Sequence, residues 1–444
     1  MNSALIGSSL PRILLIAEAC NPEWVSVPLV GWNIYRALSK IASVHLVTHI
    51  RNRDAINRAG LVEGSDYSTI DNERFASPIF KLSLLLRGGA GKGWTTITAF
   101  SSLAYYSFEL DLWRKFKNRL MAREFDLVHR VTPLSPTSQS IIAKRLFRLR
   151  IPFIVGPLNG GVPWPPGFID RQHAEHEWLS HIRGLYKLLP GYSSMRRHSS
   201  AIIVGSKFTL SEMPQQIQNK CIYIPENGIR TDQVVALDDL RNKFKTRTVE
   251  SKLNVIFVGR LVPYKGADML LEAAAEFLLK KQIELHIVGD GPQRQELELL
   301  ARSLGIENTV RFHGQLFHNE VLIQLCKSDV MVLPSIREFG GGVVVEAMSM
   351  GVTPIVANYA GPAELVDENS GVRVDFSNRT SLIEGLKSAI RELVVRPEQL
   401  ERLGTAAREQ ALARFTWEAK ANQIGDIYAA VLAGNADFSR LRCV

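Results

Sequence analysis

Residues 254–260 read NVIFVGR: four successive apolar side chains, then a glycine and an arginine. A strand with one wet face alternates apolar and polar residues. A short run that is apolar on both faces and closed by glycine belongs in a parallel sheet covered on both sides. The same form recurs downstream in IELHIVGD (283–290), TVRFHG (309–314), VMVLPS (330–335) and TPIVAN (353–358). Upstream it is found in RILLIAEA (12–19), SVHLVTHI (43–50), FDLVHRV (125–131), PFIVGPL (152–158), AIIVGS (201–206) and CIYIPEN (221–227). Helical stretches separate these runs almost throughout, so the pattern predicts an α/β chain with two doubly wound parallel sheets.

The two series are divided by a polar stretch, ALDDLRNKFKTRTVESK (236–252). The expected division is therefore 1–235 for the first domain, 236–251 for a linker and 252–415 for the second. A closing amphipathic helix, 416–433, is expected to start on Thr416 as its cap and to pack back on the first domain. At 444 residues and 46% hydrophobic content, the chain can fill two cores of ordinary size. RILLIAEA follows no basic leader and reads as a buried strand, not as a signal peptide. No apolar run approaches the roughly 18 residues of a bilayer span. Four scattered cysteines (Cys20, Cys221, Cys326, Cys443) fit reduced thiols, and a cytoplasmic location is expected.

The net charge of +9 is concentrated: residues 81–150 hold thirteen Lys/Arg against four acids. Within that window, FELDLWRKFKNRLMAREF places Phe108, Leu112, Trp113, Phe116 and Leu120 at helical spacing with basic residues between them. One reading is a surface for an acidic partner: membrane lipid, a phosphorylated lipid substrate or nucleic acid, with membrane well ahead of nucleic acid because no nucleic-acid-binding signature accompanies the charge. The other is a core-facing helix with a solvated basic face.

Chemistry is expected beyond the carboxyl ends of the strands, where ligands of open α/β sheets bind. NVIFVGR ends at Arg260, and Lys265 follows in LVPYKG; a guanidinium and an ammonium converging there suit a diphosphate, unless both are ordinary surface cations. VMVLPS leads into REFGGGVVVEAMSMG (337–351), where Gly340, Gly341 and Gly342 stand at the mouth of a helix. Glycines there let backbone approach a ligand, and free helix amides favour an anion. Glu338 before the glycines and Glu346 inside the helix are acceptors suited to sugar hydroxyls; for Glu346 alone, a favourable place near the helix dipole is the plainer explanation.

The ordered set VGR…K, HIVGDGP, VRFHG, Glu-x7-Glu and GPAELV within 256–366 resembles the retaining glycosyltransferases of family 4 (glycosyl transferases group 1). The resemblance extends over nearly the whole chain. It implies a GT-B fold, two Rossmann-like domains facing a central cleft, and transfer of a sugar from a nucleotide donor with retention of configuration. It further implies that Arg260 and Lys265 bind the donor diphosphate, Glu338 the transferred sugar and Glu346 the ribose. Gly31, opening the first helix, would approach the donor phosphate, and His129, ending FDLVHRV, would lie near the donor sugar, although a lone histidine is more often structural. GPLNGG (156–161) would line the acceptor side. Two departures stand out: Phe339 follows Glu338 directly, where the family reads Glu-x-Phe-Gly, and Val30 replaces the first of two glycines.

Other signals point elsewhere less well. GGAGKG (88–93) lacks the glycine and Ser/Thr of a phosphate loop, having Leu86 and Gly93 in those places. His173, His176 and His181 lie close in sequence without a further fixed ligand, and there is no Asp-x-Asp pair, so neither a metal nor another cofactor is expected. The expected partners are a nucleotide-sugar donor, a lipid-linked or glycan acceptor in envelope or exopolysaccharide synthesis, and an anionic membrane at its inner face, with no nucleic acid. A nucleotide-sugar epimerase and a non-catalytic sugar-nucleotide or glycan binder are the alternatives.

Overall fold

The computed structural model describes residues 10–75, 94–165, 167–168, 186–245, 252–435, 438 and 441. The stretches 88–93 and 173–181 lie outside them. The chain divides into two compact units, the first comprising 1–161, 175–226 and 420–444, the second 162–174 and 227–419.

Among the described residues of the first unit, seven parallel strands form one sheet in the order β3-β2-β1-β4-β5-β6-β7. These are β1 (Arg12–Ala17), β2 (Ser43–His49), β3 (Tyr67–Ile70), β4 (Leu127–Thr132), β5 (Phe153–Leu158), β6 (Ala201–Val204) and β7 (Cys221–Tyr223). Ile13 to Ile16 are wholly buried, as a strand covered on both faces must be. The second unit holds six strands in the order β10-β9-β8-β11-β12-β13. They are β8 (Leu253–Val258), β9 (Ile283–Val288), β10 (Val310–Gly314), β11 (Val330–Leu333), β12 (Thr353–Ala357) and β13 (Val372–Val374). In this sheet the strand order reverses between β8 and β11, so the loops leaving those two strands part to either side and open a crevice.

The boundaries differ from those expected. The second unit begins at Asn227, and the stretch read as a linker opens with a helix, Asp238–Lys245. Side-chain anchors explain the difference. Arg241 donates to the Met350 carbonyl (2.6 Å), Asp238 pairs with Arg408, and Ile229 bridges to Thr416. Residues 162–174, expected in the first domain, belong to the second unit, where Phe168 enters the hydrophobic core. The closing helix starts after Thr416, whose hydroxyl accepts from the Ala419 amide at 3.1 Å. From Lys420 onward it belongs to the first unit.

Candidate functional site

In the second unit the backbones leaving β8 and β9 are joined edge to edge. Gly259 N–H donates to Val288 O and Leu261 N–H to Asp290 O, both at 2.9 Å. Gly289 has φ +130°, and a Cβ there would stand 2.0 Å from the Gly259 carbonyl oxygen. Only glycine permits this approach. It fixes the peptide that carries Arg260, whose side chain is exposed and makes no ion pair among the described residues. Lys265 closes the short turn Pro263–Lys265, and Gly266 at φ +75° turns the chain into the helix Ala267–Leu279.

Across the reversal point, Ile336 N–H donates to Tyr264 O at 2.9 Å, tying the loop after β11 to the loop after β8. That seam brings Glu338 onto Lys265 as a direct ion pair, both side chains less than one-fifth exposed. The helix Gly342–Ser349 follows, with Gly341 as its cap at φ +68°. Glu346 is its fifth residue, in the second turn, and its Oε1 lies 3.0 Å from His318 Nε2. Arg260, Lys265, Glu338 and Glu346 thus share the two loops and the helix start that flank one crevice.

The glycines are needed first by the protein itself. A Cβ on Gly341 would lie 3.0 Å from Pro362, and one on Gly342 would lie 3.2 Å from Asn227 Oδ1. Gly361 lies flat on the peptide joining Phe339 to Gly340: a Cβ there would meet Phe339 O at 2.2 Å, and its N–H reaches Glu338 O at 3.2 Å. The GPAELV motif therefore braces the backbone of Glu338. This role was not read from the sequence, although the motif itself was visible.

A second brace comes from the segment after β5. Arg337 donates from Nε to Val162 O (3.3 Å), and its guanidinium lies 5.1 Å from the Trp164 ring centroid. Trp164 meets Tyr264 edge-on at 6.3 Å, and Tyr359 donates its hydroxyl hydrogen to Pro163 O (2.9 Å). Trp164 therefore touches the immediate neighbours of both Lys265 and Glu338. The Trp/Pro/Gly run was legible as an irregular ligand-side loop, but nothing in its spacing revealed these contacts.

Two expected site residues of the first unit have other roles. His129 is wholly buried. Its Nε2–H donates to Gly156 O at 2.8 Å, and Nδ1 accepts from the Tyr428 hydroxyl at 2.7 Å. Burial lowers its pKa to about 4. With both ring nitrogens bound inside the unit and no surface exposed, we place His129 in the core and not in the site. Gly31 lies five residues into the helix Val27–Leu38, not at its opening, and a Cβ there would come within 2.3 Å of Ala19 O. Its glycine serves helix-to-loop packing; at that depth the amide belongs to the helical ladder and is unavailable to a phosphate.

The basic helix Trp94–Met121 directs Tyr105, Phe108, Leu112, Phe116 and Leu120 into the core of the first unit. That apolar stripe is used in folding, and the outward side between residues 104 and 121 carries basic side chains beside the exposed Leu110 and Met121. There Arg114 pairs with Asp111, Arg119 with Glu124, and Lys115 donates to Thr69 O. On the same helix, Glu109 is wholly buried and burial raises its pKa. It accepts from the Tyr105 and Ser140 hydroxyls and from the Ile141 amide, a polar knot not visible in the sequence.

Among the described residues, no group of three or more His, Cys, Asp or Glu could hold a metal ion, and no helix is long and apolar enough to cross a membrane.

Comparison with known proteins bears on the second unit above all. Residues 238–410 match the family described as glycosyl transferases group 1. A D-inositol 3-phosphate glycosyltransferase of Streptomyces bingchenggensis is 33% identical over 202 residues, which is 43% of this chain and 42% of that protein. A GDP-mannose-dependent alpha-(1-6)-phosphatidylinositol monomannoside mannosyltransferase of Mycolicibacterium smegmatis is 28% identical over 45% of this chain and 54% of its own length. The chain thus spans about half the length of the curated relatives it matches. Among solved structures, sucrose-phosphate synthase of Thermosynechococcus elongatus aligns with a TM-score of 0.59 at 19% identity, covering 96% of this chain and all of that one. Anabaena HepE in complex with UDP aligns at 0.58 and 16% identity over 95% of this chain and all of its own. At such identities the likeness is one of fold. Residues 238–410 thus match the glycosyl transferases group 1 family, and the two parallel-sheet Rossmann-like units are of the GT-B kind.

Proposed function

We propose that this protein moves a sugar from a nucleotide-sugar donor to a lipid-linked or glycan acceptor, with retention of anomeric configuration, in cell-envelope or exopolysaccharide synthesis. One observation carries the reading: Lys265 is paired with Glu338 at the reversal point of one sheet, on the loops that also carry Arg260 and lead into the helix of Glu346. Two cations suit a diphosphate, and two carboxylates suit hydroxyls on either side of it. The relatives named above act on a cyclitol phosphate and a phosphoinositide lipid, and one uses GDP-mannose, which supports the donor class and a polyol or lipid acceptor.

In the proposed reaction the bond from the anomeric carbon to the β-phosphate oxygen breaks, and its electron pair leaves with the nucleoside diphosphate. The acceptor oxygen bonds to that carbon from the same face and gives its proton to the departing phosphate oxygen. Arg260, Lys265 and the amides at the start of Gly342–Ser349 offset the charge that develops, so a divalent ion is dispensable. The test screens UDP-, GDP- and ADP-sugars for thermal stabilisation; ligand at a hundred times its Kd adds about 2.7 kcal/mol. The donor that binds is then assayed for transfer in excess chelator, with and without acceptor. Activity should survive chelation. Complete loss restored by Mg²⁺ would remove the two-cation assignment, and donor turnover without any acceptor would favour the epimerase.

We further propose that the protein works at the inner face of the membrane, held by the outward basic side of Trp94–Met121. Each cation close to an anionic surface contributes about 1 kcal/mol, weakened by salt. In liposome sedimentation, binding should require anionic lipid and fall as salt rises. Equal binding to neutral vesicles would exclude this surface.

A further inference from the structure

His318 was not among the expected site residues, yet it is the group that holds Glu346. It stands at the start of the helix His318–Cys326, in the connection after β10. Its Nε2 lies 3.0 Å from Glu346 Oε1, with the imidazole half exposed and the carboxylate 24% exposed. A carboxylate oxygen has two acceptor positions, so Glu346 can take a hydrogen bond from His318 and still receive a hydroxyl. We propose that His318 is a positioning residue for Glu346, fixing its rotamer and charge so that the carboxylate meets the vicinal hydroxyls of a nucleoside diphosphate already oriented. The inference rests on the ribose role given to Glu346 above.

The surroundings support a charged imidazole. The hydrogen bond to Glu346 raises the His318 pKa against the opposing effects of burial and of Arg230. Arg230 is itself tied to Asp232. On the neighbouring helix Asp238–Lys245, Asp238 is taken by Arg408 and Arg241 by the Met350 carbonyl. On its own helix, Glu320 accepts from the Phe317 amide. Glu346 is thus the acid that answers His318. Below its raised pKa the imidazolium makes a charge-assisted bond; above it, a weaker neutral one remains.

The test is calorimetric affinity of the full-length protein for UDP, GDP and ADP between about pH 6 and about pH 9, a range that brackets a raised histidine pKa. For the nucleotide that binds, His318→Ala should weaken affinity about tenfold at the acid end and less at the alkaline end. His318→Gln, which keeps a neutral donor near the Nε2 position, should recover most of the loss, and the ratio of wild type to this variant should fall as pH rises. The double variant His318→Ala/Glu346→Gln should bind no more weakly than Glu346→Gln alone. Unchanged affinity in His318→Ala, or full additivity of the two losses, overturns the proposal. If Glu346→Gln itself binds nucleotide normally, the ribose assignment fails instead, and the two failures are distinguishable.

Discussion

Glu338→Gln should lower kcat about tenfold to a hundredfold with little change in donor KM, whereas Glu346→Gln should raise donor KM and leave kcat nearly intact. A hydrogen bond from a carboxylate to a hydroxyl is worth roughly 1.5–3 kcal/mol, which sets the size of both losses. The ribose lies away from the bond being broken and is held alike before and during transfer, so losing its acceptor costs uniform binding. The migrating sugar must be held as its bond stretches, so losing Glu338 costs the transition state. The ion pair sharpens this expectation. Lys265 is engaged by Glu338, and the glutamine releases the ammonium for the diphosphate, which works against any rise in KM. Steady-state kinetics with varied donor at saturating acceptor separate the two signatures. Near-normal constants in both variants would reduce the carboxylates to helix-end charges, and reversed signatures would mean that the donor lies the other way round.

A second large effect is expected on stability, and it comes from His129. Its folded pKa is lowered to about 4, against 6.5 for an unperturbed histidine. The sign follows from proton uptake. Above about pH 6.5 both the folded and unfolded forms carry a neutral ring and nothing is lost. As pH falls toward 4, the unfolded chain takes up the proton and the folded one does not. Stability is therefore lost across that window, by about 3 kcal/mol when the interval is complete. Wild type and His129→Asn should be melted at several pH values. The variant should be weaker at neutral pH, since the Tyr428 and Gly156 partners are left behind, but its stability should fall less steeply below pH 6.5. Parallel pH profiles would show that the ring does not govern acid sensitivity.

The apolar runs made the central strands of both sheets legible, because a strand covered on both faces is mostly apolar, with the buried Arg130 of β4 as an exception. The two strands that were not foreseen, β3 (YSTI) and β13 (VRV), are the edge members of their sheets. They are short and carry Ser, Thr or Arg, since an edge has one neighbour and no need of a continuous apolar run. The unit boundaries were misread for a related reason. Charged residues such as Asp238 and Arg241 resemble a solvated linker until their partners, Arg408 and the Met350 carbonyl, are known.

The placement of the four proposed site residues, on the loops after two strands and in the helix that follows, was legible from the ends of the apolar runs. Their supports were not. Gly361, Trp164 and His318 act across sequence gaps of roughly twenty to nearly two hundred residues, which no spacing rule reaches. His129 misled for the opposite reason: it was read as ending its strand, but it lies in the middle of β4 with its ring turned into the core. Tyr428, which holds it, lies 299 residues away.

The segment 162–174 carries a consequence for anyone wishing to recombine this protein with its relatives. By chain order it sits between β5 and β6 of the first unit, yet it is counted with the second, where Phe168 is core and Trp164 adjoins both charged loops. A chimera joined at a single point near residue 227 would therefore graft most of the second unit onto a foreign Trp164 segment. The exchangeable module is discontinuous: 162–174 must travel with 227–419, and its sequence should vary in step with the loops around 264 and 337, not with the strands that flank it.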